Sequence, residues 1–132
     1  IKYLGAWRIA FRKRIAEENK ADLHISIHCN SFPKSNSSGA QVFYAPHVPG
    51  SYELAQSVQA SLRETLGNTR RTVKEDTVTY VMKNTKIPTI NVEIGFLSNV
   101  REEKMLLDEN YQDKVAWAIY SGIVRYLAEY NY

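Results

Sequence analysis

The stretch from Pro88 to Leu97 constrains this chain more than any other. Thr89-Ile90-Asn91-Val92-Glu93-Ile94-Gly95-Phe96-Leu97 is a nearly continuous apolar run, rich in β-branched side chains and opened by a proline. Such a run predicts a strand buried on both faces, the condition of a parallel sheet covered by helices. It holds a single charged group, Glu93. Removing an unpaired carboxylate from water costs several kcal/mol or more, so a reason is required: a partner cation, a metal, or catalysis. Gly95, two residues on and on the same strand face, leaves room for a close approach. The alternative is an edge strand with Glu93 facing solvent, and the residues alone leave both readings open.

The remaining pattern supplies the surroundings of such a strand. Residues 5–19 carry Trp7, Phe11 and Ile15 at helical spacing with Ala10 beside them, which predicts a helix with that stripe inward. Leu23 to Cys29 reads as a strand, 30–39 as a loop rich in serine, and Ala40 to Ala45 as a second strand. Pro46 to Gly50 reads as a turn, after which Ser51 is placed to cap a helix ending near Leu66, where Gly67-Asn68 stops it. Residues 69–77 read as irregular and Val78 to Met82 as a short strand. Asn99 is placed to cap a short helix with Glu102 at the capping-box position. A last helix starts at Asn110, with Val115, Ile119, Ile123, Tyr126, Leu127 and Tyr130 inward. Strands alternating with helices predict one α/β domain with a mixed, mainly parallel sheet flanked by helices on both faces.

Composition excludes several classes. The 132 residues are 44% hydrophobic and 23% charged, the balance of a soluble globular domain rather than a disordered chain. No apolar run approaches the roughly 20 residues that span a bilayer. Residues 1–14 mix aromatic and basic side chains, with no apolar core or cleavage site of a signal peptide. The chain begins at Ile1 rather than methionine and is expected to be a processed or partial chain. One cysteine, Cys29, excludes a disulfide framework. The net charge is +3, but the basic residues are scattered without aromatic interleaving, so nucleic-acid binding is not expected.

His28 stands at the C-terminal end of its predicted strand, where open parallel sheets bind ligands, and a neutral imidazole is a common zinc ligand. A hydrogen-bonded strand-end histidine is the competing reading. His24 lies four residues earlier on the same strand face, about 13 Å away, too far to share a zinc whose bonds are about 2 Å. It reads as structural or surface. Cys29 adjoins His28, but alternation sends the two side chains to opposite faces. It reads as a small buried residue rather than a nucleophile.

Together these segments resemble a known family. Ala21-Asp22-Leu23-His24-Ile25-Ser26-Ile27-His28-Cys29-Asn30-Ser31 is similar to the "ADLFISIHANS" segment of the zinc-dependent N-acetylmuramoyl-L-alanine amidases. Gly39-Ala40-Gln41-Val42-Phe43-Tyr44 resembles the strand that follows it there, and Pro88 to Asn99 resembles the "PAVLVEIGFLSN" signature. The stretch Tyr111 to Ala116 and the helix after it look most like the germination-type amidases of spore-forming bacteria. The resemblance runs from about Gly5 to the last helix.

The resemblance implies that His28 is a zinc ligand and Glu93 the catalytic carboxylate, with Asn30, Ser31 and the loop to Gly39 lining the substrate groove. The implied substrate is peptidoglycan, cut between N-acetylmuramic acid and the L-alanine of its stem peptide, and the implied location is outside the cytoplasmic membrane. Cys29 stands where the family usually has alanine. The family's other two zinc ligands, a histidine and a glutamate, lie upstream of the matched region. The chain is therefore expected to be the C-terminal two-thirds of the catalytic domain, lacking a strand and two ligands. The competing expectations are a non-catalytic peptidoglycan-binding module and a cysteine hydrolase.

Overall fold

The apolar run forms β4 (Thr89–Phe96), an interior strand of a four-stranded sheet. The computed structural model describes residues 2–130, so the start at Ile1 lies outside the described residues. On one side β4 pairs in parallel with β1 (His24–Asn30), and on the other it runs antiparallel to β2 (Gln41–Tyr44). A two-residue strand, β3 (Lys74–Glu75), pairs in parallel with β2 and gives the order β1-β4-β2-β3. The sheet is mixed, with two parallel pairings and one antiparallel, as expected. The β3 pairing falls in the stretch expected to be irregular.

Strand alternation divides the sheet into an apolar and a polar face. Ile90 and Val92 of β4 and Val42 of β2 are fully buried on the first. They pack in one core with α2 (Ser51–Leu66) and α5 (Glu109–Glu129), which contribute Leu54, Val58, Leu62, Val115, Ile119 and Tyr126. The two helices approach closely at Gly122, where a Cβ would stand 2.6 Å from the Cα of Val58. The polar face carries Asn91 and Glu93. Over its N-terminal half lie α1 (Lys2–Glu18) and α3 (Tyr80–Asn84), enclosing a cavity of about 90 Å³ lined in part by Ile9 and Arg12 of α1 and Met82 of α3.

Several local expectations are corrected. Val78 to Met82 is not a strand: Asp76 accepts hydrogen bonds from the Val78 and Thr79 amides at 2.9 Å, and this turn starts α3. Ser51 does not cap α2. Gly50, at φ 88°, takes that position, and Ser51 Oγ instead accepts from the Thr89 amide at 3.0 Å, tying α2 to the start of β4. No described residue covers the stripe of α1: Trp7 is 62% and Ile15 43% exposed, and Trp7 stacks on Phe11. The last helix begins one residue earlier than expected, capped by Asp108, and Tyr130 lies exposed past its end.

At α4 (Val100–Leu106) the Asn99 side chain caps as expected, accepting from the amides of Arg101 and Glu102. The Glu102 carboxylate makes no capping box. It is buried and accepts from the Gly39 amide through Oε1 and the Phe96 amide through Oε2, both at 2.7 Å. Glu102 thus joins the ends of the 30–39 loop and of β4. The space at Gly95 is likewise filled from within: a Cβ there would meet Glu102 and Leu106 at 3.5 Å.

Candidate functional site

Because β4 is paired on both sides, Glu93 is not on an edge strand. Its register partners are His28 on β1 and Gln41 on β2, so the parallel pairing puts His28 and Glu93 side by side. This juxtaposition joins residues 65 positions apart, and only the β1–β4 register creates it. Asn91 donates through Nδ2 to Glu93 Oε1 at 2.9 Å. The other carboxylate oxygen, Oε2, is buried and has no hydrogen-bond partner. A buried acceptor left unpaired carries a desolvation cost and calls for a donor or cation to meet it.

His28 is exposed at the C-terminal end of β1, where the register shifts before Asn30. Its ring reaches the cavity that Ser26, Asn91, Asp76 and Thr79 also line. His24 lines the same cavity from beneath. Burial, and then the charge of Arg12, hold its pKa below the usual histidine range, which fits a structural role. On the β2 side, Gln41 does not turn to Glu93. Its Nε2 donates to the Thr72 carbonyl at 2.9 Å, and its Oε1 accepts from Arg71 at 3.3 Å. Arg71 also donates to the Ser38 carbonyl and lies over the Phe96 ring at 5.0 Å, pinning the loop beside the site.

Asn30 ends β1 with its Oδ1 accepting from the Ser31 amide at 2.8 Å, and its carbonyl accepts from the Leu97 amide at 2.8 Å. Ser31 is exposed, and the next amide, of Phe32, donates to Ser98 Oγ at 3.1 Å. The loops after β1 and β4 are thereby stitched together above Glu93. Cys29, expected to be buried, is exposed among the described residues, at the point where the β1–β4 register shifts. Partial withdrawal of the thiol from water, and then the Glu93 charge, raise its pKa, which disfavours the thiolate that nucleophilic attack needs.

Among the described residues, no three His, Cys, Asp or Glu side chains come together to hold a metal. Nor is any helix there long and apolar enough to cross a membrane. Asn91, Glu102 and Arg71 were not singled out as site residues in the sequence. A signal existed for Asn91, an amide in an apolar run two residues before the carboxylate. None existed for the other two, whose contacts reach across as many as 63 positions of the chain.

Residues 6–125 match the family described as N-acetylmuramoyl-L-alanine amidase. The germination-specific N-acetylmuramoyl-L-alanine amidase of Bacillus subtilis is 42% identical over 118 residues, 89% of this chain and 50% of that protein. Among solved structures, the CwlD amidase of Clostridioides difficile, determined in complex with the GerS lipoprotein, is 42% identical. It superposes with a TM-score of 0.85 over 89% of this chain and 60% of its own. The catalytic domain of CwlV, an N-acetylmuramoyl-L-alanine amidase of Bacillus (Paenibacillus) polymyxa, is 33% identical. Its TM-score is 0.83 over 91% of this chain and 65% of its own. The chain thus spans about half to two-thirds of the length of these relatives. With a match along nearly all of its sequence and the fold of two solved amidases, the chain belongs to the N-acetylmuramoyl-L-alanine amidase family.

Proposed function

We propose that the protein carrying this chain is a zinc-dependent amidase that hydrolyses the bond between N-acetylmuramic acid and the L-alanine of the peptidoglycan stem peptide. One observation carries the reading: a carboxylate in an interior strand, held through one oxygen, presents a second, buried and unpartnered oxygen beside a strand-end histidine. The site fits a metal in part. His28 offers an imidazole in an exposed position, and the family's remaining ligands match no residue here, so they are assigned upstream of residue 1. This makes residues 1–132 the C-terminal two-thirds of the catalytic domain.

Zinc, when bound, polarises the amide carbonyl and acidifies the attacking water. His28, at the C-terminal end of β1, would supply one ligand to the metal. Glu93 accepts the proton of the attacking water at Oε2 and delivers it to the departing nitrogen of L-alanine, so the products are a free lactyl carboxylate and a free peptide amine. Asn30 and Ser31 line the groove that receives the glycan and stem peptide. Peptidoglycan lies outside the cytoplasmic membrane, and the working enzyme is assigned there, as an autolysin or a germination hydrolase.

The test is release of the α-amino group of L-alanine from purified muropeptides by the full-length protein, with and without a zinc chelator. Chelator-sensitive release that disappears in Glu93→Gln is the expected result. Absence of release by a full-length, zinc-loaded protein would leave a non-catalytic peptidoglycan-binding module.

A further inference from the structure

The Asn91 side chain occupies a place that the strand's own preferences do not explain. Its sequence neighbours in β4 are the fully buried Ile90 and Val92, and asparagine is depleted in strands. Its carbonyl oxygen Oδ1 is buried without a hydrogen-bond partner, so the amide carries an unsatisfied acceptor that an apolar side chain would not. A residue that breaks local preference and leaves a polar atom unpaired points to a role outside folding.

The geometry supplies that role. Asn91 and Glu93 project from the same face of β4, two residues apart, and Nδ2 of Asn91 donates to Glu93 Oε1 at 2.9 Å. Across the sheet, Gln41 is committed to Thr72 and Arg71. The terminal torsion of a glutamate is broad and roughly two-fold, so an untethered carboxylate samples many orientations. Tying down Oε1 fixes which oxygen stays free and where it points, and the free one is the buried Oε2.

We propose that Asn91 is a positioning residue for the amidase reaction, holding Glu93 by one oxygen so that the other alone meets the attacking water. The inference rests on the amidase reading of this site. Asn91 acts through Glu93 and is not assigned to the substrate, so its loss acts on the turnover step rather than on binding.

The experiment compares full-length wild type with Asn91→Leu and Asn91→Val, two variants that remove the donor and suit an apolar strand. For each, kcat and KM on muropeptides, zinc bound per chain and the thermal midpoint are measured. The expected result is a fall in kcat of about 10- to 100-fold, the scale of a mispositioned catalytic group. KM stays within about twofold, zinc content is unchanged, and the midpoint is unchanged or raised. An active wild type whose variants keep kcat within about twofold overturns the inference and leaves the amidase reading standing. A fall in kcat that follows a loss of zinc or a lowered midpoint assigns Asn91 a metal-site or structural role and also overturns it. A zinc-loaded wild type that releases no amine overturns the amidase reading, and this inference with it.

Discussion

Glu102 offers the sharpest test of how the site is held together. Its carboxylate is 6% exposed and receives the Gly39 and Phe96 amides at 2.7 Å each. Both amides belong to buried residues. Hydrogen bonds to a charged acceptor are worth about 1.5–3 kcal/mol each, so Glu102→Ala, which strands both donors, costs about 3–6 kcal/mol. Glu102→Gln keeps the shape but turns an NH₂ toward one of the two donors, and costs about 1.5–3 kcal/mol. In a catalytic domain of about 200 residues each kcal/mol moves Tm by roughly 2–4 °C, so the glutamine variant melts roughly 3–12 °C lower. The assay is thermal unfolding of the full-length protein, with amide hydrogen exchange at Gly39 and Phe96 as the local readout. Protection at these two amides is expected to fall before that of β4's centre. If Glu102→Gln melts within 1 °C of wild type and both amides stay protected, the lock between the 30–39 loop and β4 does not exist.

Further outcomes follow from the same geometry. Glu93→Gln lowers muropeptide hydrolysis by about 10²- to 10⁴-fold while leaving the thermal midpoint within a few degrees, checked by amine release and calorimetry. Gly122→Ala drives a Cβ to 2.6 Å from the Val58 backbone and pushes α5 off α2, costing about 1–3 kcal/mol in urea unfolding. The Cys29 thiol, its pKa raised, reacts with iodoacetamide more slowly than free cysteine at pH 7.5, and Cys29→Ala keeps full hydrolysis. His24 is depressed below its ordinary value of 6.5 in the fold, so the unfolded chain binds the proton more readily. Its stability contribution is complete above about pH 6.5 and is lost as pH falls through the folded value. His24→Asn flattens that part of the stability–pH curve.

The sequence by itself determined the elements whose signals are local. The largely apolar run at Thr89–Phe96 made a strand, since its β-branched side chains behind a proline favour extended backbone. Asn99 capped its helix and Gly67 ended another, because caps depend on one or two residues. The motif order around His28 and Glu93 was enough to identify the family. Tertiary structure decided what depends on distant partners. Whether Glu93 faced solvent or lay inside rested on β2 pairing along its far side, and its closeness to His28 rested on the β1–β4 register. Glu102 and Ser51 carried correct capping chemistry, yet were drawn to buried amides 63, 6 and 38 residues away. The stripe of α1 had the periodicity of a packed face and no described residue covers it, because periodicity fixes which side chains share a face and not what lies opposite it.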